Sequence, residues 1–235
     1  VPAGATPEIA TEEASAAAVE ADGGGREAER LLRLPRERSV PLGSIRIIAG
    51  RFRGRKIAVP DAPGLRPTGG RAREALFDIL GQDLTGRSVL DLYAGTGALG
   101  FEAASRGASR VVFVEADRGL AVGLRQTADT LGIAGSVRVV AGRVEDVLAG
   151  GALPGRFDVI LADPPYGAID PAEVAERVGR AGMLATEGVL VVEVARGTLR
   201  LDPSAELILV RSERYGGTSL LFFKYPKSGS PAGES

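Results

Sequence analysis

The chain has 235 residues, 44% of them hydrophobic and 25% charged, which is the composition of one globular domain of ordinary size. It contains no cysteine and no histidine, so disulfide frameworks, thiolate nucleophiles, Cys/His zinc sites and Ser-His-Asp or Cys-His catalysis are excluded. The net charge is −1, so the molecule as a whole is not a basic nucleic-acid binder, but its charge is unevenly spread.

Residues 1–43 hold eight acids against five arginines, with Ala-rich and Gly-rich runs and few large apolar side chains. This composition predicts a disordered extension, with a short helix at most over residues 26–34. A basic start followed by an apolar core, as a secretory signal needs, is not found there. No apolar run approaches the ~20 residues of a membrane span. The chain therefore reads as cytoplasmic, with no membrane partner. The tail over 227–235 also reads as disordered.

Residues 44–60 (SIRIIAGRFRGRKIAVP) alternate apolar and basic residues around a glycine-containing centre, the pattern of a hairpin with one basic face. Pro67 and Thr68 precede a helical segment in which Ala72, Ala75, Leu76, Ile79 and Leu80 are spaced to form the buried face. Across residues 44–80 eight Lys/Arg stand against three acids, a localised basic patch. Arg51, Arg53, Arg55 and Lys56 fall close together, and Arg66, Arg71 and Arg73 follow. Arginine suits bidentate phosphate binding, which positions an RNA without reading its sequence. The bland alternative is a solvated charged face.

From residue 83 onward, apolar strand candidates at 88–92, 110–115, 137–141, 157–162 and 188–194 alternate with helical segments near 98–106, 118–132, 143–150 and 171–183. This rhythm predicts a parallel sheet covered on both faces. Residues 206–214 and 219–225 are separated by a tight Gly216-Gly217 turn, which suits an antiparallel hairpin at the end of the sheet. The expected divisions are thus 1–43, an extension; 44–82, a basic hairpin and helix; 83–226, the α/β domain; and 227–235, a tail.

The first of these strands runs into DLYAGTGALG, in which Gly95, Gly97 and Gly100 match GxGxxG and open a helix. Glu115 ends the next strand, where a carboxylate can accept hydrogen bonds from both hydroxyls of a ribose. The geometry suits NAD and S-adenosylmethionine (SAM) alike, or a tight turn with no ligand. SAM carries a sulfonium and an amino-acid end, and Asp91 could face its cationic amino group.

The strand over 157–162 ends in Asp163-Pro164-Pro165-Tyr166. Ligands of open α/β sheets sit beyond the carboxyl ends of the strands, which puts DPPY beside the glycine loop. An exocyclic amine on a base is a poor nucleophile because its lone pair is delocalised into the ring. Asp163 and the Pro164 carbonyl could each accept one of its N–H groups, drawing the nitrogen toward sp³ geometry. The two prolines stiffen the turn and remove competing donors. Tyr166 offers a stacking face for a base taken out of its helix. Hydride transfer has no evident use for DPPY.

Taken together, SIRIIAGRFRGRKIAVP, LRPTGGRAREALFDIL, VLDLYAGTGALGFEAASRGA, VVFVEAD, FDVILADPPY and RYGGTSLLFF resemble the RsmD family of bacterial 16S rRNA guanine-N2 methyltransferases, over roughly residues 44–225. The resemblance implies a Rossmann-like SAM-dependent methyltransferase fold, a seven-stranded sheet with an antiparallel last strand and a small N-terminal hairpin and helix. It implies that SAM methylates N2 of one guanine in small-subunit rRNA, free or in an assembling subunit, with no metal. Gly95 and Gly97 would line SAM, Glu115 would hold its ribose, and Asp163, Pro164, Pro165 and Tyr166 would hold the guanine. The chain departs from the family at Arg143, where an Asp or Asn usually meets the adenine, leaving that contact to backbone groups or Asp146. It also departs at Gly69-Gly70, where a polar pair usually precedes the helix. The alternatives are an adenine-N6 or cytosine-N4 methyltransferase, an NAD(P)-dependent oxidoreductase, and a non-catalytic RNA-binding module. No heptad run is present; the sequence leaves the oligomeric state open, with a monomer favoured.

Overall fold

The computed structural model describes residues 43–59, 70–151, 153, 155–165, 169–195 and 206–226. Two compact units divide the chain at residue 38, and every described residue belongs to the second. Most of the expected acidic extension, the tail over 227–235, Arg66 and Tyr166 lie outside the described residues.

A short antiparallel pair, β1 (Gly43–Arg46) and β2 (Lys56–Val59), comes first and is followed by α1 (Gly70–Leu80). The sheet then alternates with helices: β3 (Ser88–Leu92), α2 (Ala98–Ser105), β4 (Arg110–Glu115), α3 (Arg118–Leu131), β5 (Val137–Ala141), α4 (Val144–Ala149), β6 (Phe157–Ala162), α5 (Pro171–Arg180) and β7 (Leu184–Ala195). It closes with β8 (Ile208–Tyr215) and β9 (Thr218–Lys224), joined by the Gly216-Gly217 turn, where Gly216 has φ 61°. Among the described residues seven strands form one sheet in the order β5-β4-β3-β6-β7-β9-β8. Only β9 runs against the rest, inserted between β7 and β8. This is the expected Rossmann-like sheet with a reversed last strand.

The central strands are buried on both faces, which is why they read as continuous apolar runs. One layer of the core joins Leu76 and Phe77 of α1, Phe101 of α2 and Leu124 of α3 to Val89, Phe113 and Leu161 of the sheet. The other joins Val147 of α4 and Val178 of α5 to Leu90, Val112 and Ile160. Ile47, Phe52 and Ile57 of the hairpin belong to the first layer, so the hairpin is seated on the sheet domain's own core.

Two placements differ from the sequence pattern. The buried face of α1 is Ala72, Arg73, Leu76, Phe77 and Leu80, rotated from the expected Ala75 and Ile79 side. The aromatic Phe77 wins the core position over Ile79, and Arg73 is carried in with it. Strand β7 begins at Leu184 rather than 188, because its pairing with β6 shifts register between Phe157 and Val159. Gly188 accommodates that irregularity, since a Cβ there would lie 2.9 Å from the Ala185 carbonyl oxygen.

The order of strands fixes where a ligand can sit. From β3 the chain moves outward to β4 and β5, then returns to β6 on the other side of β3. The crevice between diverging connections lies at the carboxyl ends of β3 and β6, the switch point at which open α/β sheets bind ligands.

Candidate active site

The glycine loop is built by three local constraints. Tyr93, directly after β3, has φ 57°, a left-handed conformation that for a non-glycine residue stores roughly 1–3 kcal/mol. Its hydroxyl donates to Glu145 Oε1 at 3.3 Å, and burial pushes its pKa up, with Glu145 adding to the shift. Gly97 (φ 76°) caps α2, and its N–H donates to the Ala94 carbonyl at 2.7 Å, closing a tight turn. Gly100 serves packing rather than a ligand. A Cβ there would come within 2.2 Å of the Phe113 ring and 2.9 Å of Asp91 Oδ2.

Glu115 holds this loop. Its Oε2 accepts from the Gly95 N–H at 2.7 Å, and its Oε1 accepts from the Asp117 N–H at 2.8 Å. Each carboxylate oxygen keeps a second acceptor site, so the ribose role and the loop-holding role are compatible. Asp91 is 2% exposed, and its Oδ2 accepts from the Gly100 N–H at 2.8 Å. That N–H is one of the unsatisfied donors of the first turn of α2, so the strand's aspartate caps the helix that follows it. Burial pushes the Asp91 carboxyl well above the usual carboxylate range. The Gly100 bond pulls it back, and the charges of Asp163 and Glu115 push further in the same direction as burial.

Asp163 follows Ala162, the β6 residue paired with Leu92 of β3, and is half-buried. Pro164 is buried and Pro165 exposed. The glycine loop, Asp91, Glu115 and Asp163 therefore converge at the switch point. Arg143 and Asp146 are exposed, and Arg143 Nε lies 3.4 Å from Glu145 Oε2. Tyr93 and Glu145 were not singled out from sequence, because a left-handed tyrosine leaves no residue-type signal.

The basic residues divide. Arg51, Arg53, Arg55, Lys56 and Arg71 are exposed. Phe52, between two of the arginines, is buried in the core, with the Arg51 guanidinium 5.2 Å from its ring centre. Arg73 does not sit where the phosphate-binding expectation needs it. It is 4% exposed, and its Nη2 donates to the Arg46 carbonyl at 2.8 Å. Burial lowers its pKa, and the charges of Glu102 and Glu193 oppose that shift.

Residues 45–224 match the family model described as conserved hypothetical protein 95. The chain belongs to this family, the RsmD family. The RsmD-family match spans the hairpin, the glycine loop, DPPY and the terminal hairpin together. The chain is 41% identical over 151 residues to ribosomal RNA small subunit methyltransferase D of Escherichia coli K12, covering 64% of this chain and 75% of that protein. It is 42% identical over 125 residues to the protein of the same name from Haemophilus influenzae, covering 53% and 65%. Among solved structures it is similar to a methyltransferase from E. coli, with a TM-score of 0.64 and 34% identity over 78% of this chain and 98% of that one. A Thermus thermophilus hypothetical protein aligns with a TM-score of 0.63 and 33% identity, over 77% and 99%.

Proposed function

We propose that the protein is a SAM-dependent methyltransferase that methylates the N2 amino group of a guanine in 16S rRNA. The observation that carries this reading is the convergence of Asp91, Glu115 and Asp163 around a glycine loop at the switch point of the sheet. Acidic groups gathered here disfavour the pyrophosphate of NAD, and a cation against Asp91 would favour its ionised form against the effect of burial. SAM supplies a methyl group on a sulfonium, together with an ammonium. The residues present fit it: Glu115 toward the ribose hydroxyls, Gly95 and Gly97 along the loop, and Asp91 toward the amino end. The curated relatives, named as small-subunit rRNA methyltransferases, extend the reading to the RNA.

At the other side of the crevice Asp163 and the Pro164 carbonyl accept the two N–H groups of the guanine amine, and Tyr166 stacks on the base. As the nitrogen attacks, it gains positive charge. Both acceptors then bind more strongly than in the ground state, which is the condition for lowering the barrier. The proton lost from nitrogen leaves along the Asp163 hydrogen bond. Arg51, Arg53, Arg55 and Lys56 hold phosphates and bring the RNA to this point.

Two outcomes follow at the cofactor side. Glu115→Ala should weaken SAM binding by about 1–3 kcal/mol, since it removes hydrogen bonds to a charged group and releases Gly95. Calorimetric titration checks this, with NAD showing no heat of binding to either protein. Unchanged SAM affinity would remove Glu115 from the site.

Asp91→Asn should have opposite effects on stability and binding. The raised Asp91 pKa means that the folded protein keeps a proton that the unfolded chain releases. That contribution is fully present below the ordinary aspartate pKa and is lost as pH rises through the raised value. An asparagine oxygen still accepts from Gly100 but carries no charge. Melts of the unliganded variant should therefore lose this decline and exceed wild type at neutral pH, while SAM binds more weakly. A variant that melts like wild type across the pH series would contradict the assignment.

A further inference from the structure

The glycine loop lies at the first turn of α2, and a second set of buried polar groups lies at its last. Glu102 is 0% exposed. A carboxylate is tolerated in the core only when it is paired and hydrogen-bonded. Arg106 supplies the pairing, with Nη2 2.9 Å from Glu102 Oε1. The remaining partners come from the basic loop between β1 and β2. Glu102 Oε2 accepts from the Ile48 N–H at 2.7 Å, and Oε1 accepts from the Ala49 N–H at 3.0 Å.

Ser105 continues the contact. Its hydroxyl accepts from the Phe52 N–H at 2.9 Å and donates to the Ala49 carbonyl. Its carbonyl accepts from the Arg51 N–H at 2.7 Å. Gly50 permits this approach: it has φ 77°, and a Cβ there would lie 2.0 Å from the Ser105 carbonyl oxygen. The backbone from Ile48 to Phe52 thus rests against the end of α2. The β1–β2 ladder does not require these bonds, since it has its own four-residue register.

We infer that Glu102 and Ser105 are positioning residues for the RNA substrate. They fix the loop carrying Arg51 and Arg53 to the far end of α2, an eight-residue helix about 12 Å long. The phosphate contacts then stand at a set distance from the cofactor loop, and the target base arrives in reach of Asp163. Holding the loop in its binding conformation beforehand lowers the ordering cost of RNA association. The inference rests on the proposed RNA contact by the basic hairpin.

Glu102→Gln leaves the buried Arg106 without its counter-charge and endangers the fold, so Ser105→Ala and Gly50→Ala carry the test. Neither residue belongs to the catalytic or cofactor machinery. The measurements are amide exchange over residues 48–52, the Kd for SAM, and KM and kcat with rRNA. The expected result is faster exchange at Ala49 to Phe52, a KM for RNA raised roughly three- to tenfold, and unchanged SAM affinity. Faster exchange with an unchanged KM for RNA would overturn the inference. So would SAM affinity falling in step with RNA affinity, which is the mark of a merely structural role. A variant with Arg51, Arg53 and Arg55 reversed in charge separates the two levels. If it bound RNA like wild type, the underlying reading of the hairpin would be at fault; if it alone lost RNA, only the positioning role would fall.

Discussion

Replacing Asp163 by alanine should lower kcat by about 10²–10³-fold while leaving SAM binding intact. The size follows from other preorganised groups that meet developing charge, where removing one hydrogen-bond partner has an effect of that order. Asp163 is assigned to the target amine, whose nitrogen becomes positive only as the methyl is transferred. The loss therefore belongs to the chemical step rather than to the KM for either substrate. SAM affinity should hold for a further reason. The Asp163 charge helps to push the Asp91 carboxyl upward, so removing it makes Asp91 easier to ionise toward the cofactor. Asp163→Asn keeps one acceptor oxygen and should fall between wild type and alanine. Single-turnover transfer with SAM and RNA saturating makes the comparison. Normal turnover by the alanine variant would remove the carboxylate from the mechanism.

Reversing Arg51, Arg53 and Arg55 to glutamate should weaken RNA binding on the order of 10²-fold near 0.1 M salt and flatten its salt dependence. Each lost phosphate contact should reduce the log–log slope by roughly 0.7–0.9. All three side chains are exposed, and the loop is held through Ile47, Phe52 and backbone bonds to α2. The fold should survive with little loss of stability, apart from the Arg51–Phe52 ring contact, worth about 0.5–1 kcal/mol. SAM affinity should not change, because the hairpin contributes neither Glu115 nor the glycine loop. Filter binding across a salt series, with SAM titration alongside, reads both. Wild-type RNA affinity at every salt concentration would leave the arginines as a solvated face.

Much of this architecture was legible because it depends on backbone requirements that particular residues betray. Apolar runs without alternation announced strands covered on both faces. Two glycines between residues 215 and 218 announced a hairpin too short for a parallel crossover, and this placed β9 in reverse. Asp163 to Pro165 after β6 and the glycines after β3 lie at one end of the sheet, because strand direction is shared in a parallel array. The buried charges were not legible. Arg73, Glu102 and Arg106 are residue types that are normally exposed. Their burial depends on partners distant in sequence, such as the 54-residue separation between Ile48 and Glu102. In sequence Arg73 reads as one more phosphate-binding arginine, although the face of α1 that buries Phe77 carries it inward. Tyr93 is illegible for a different reason: its left-handed backbone comes from the loop it begins, and no feature of tyrosine signals it.

The proposed reaction is methyl transfer to the N2 amine of guanine in small-subunit rRNA. The most direct test supplies methyl-tritiated SAM with undermodified small subunits, naked rRNA and DNA in parallel, followed by digestion to nucleosides. Label in N2-methylguanosine from the ribosomal samples, and none from DNA, is the predicted result. Label in N6-methyladenine or N4-methylcytosine, or no transfer to any of the three, would rule this reaction out.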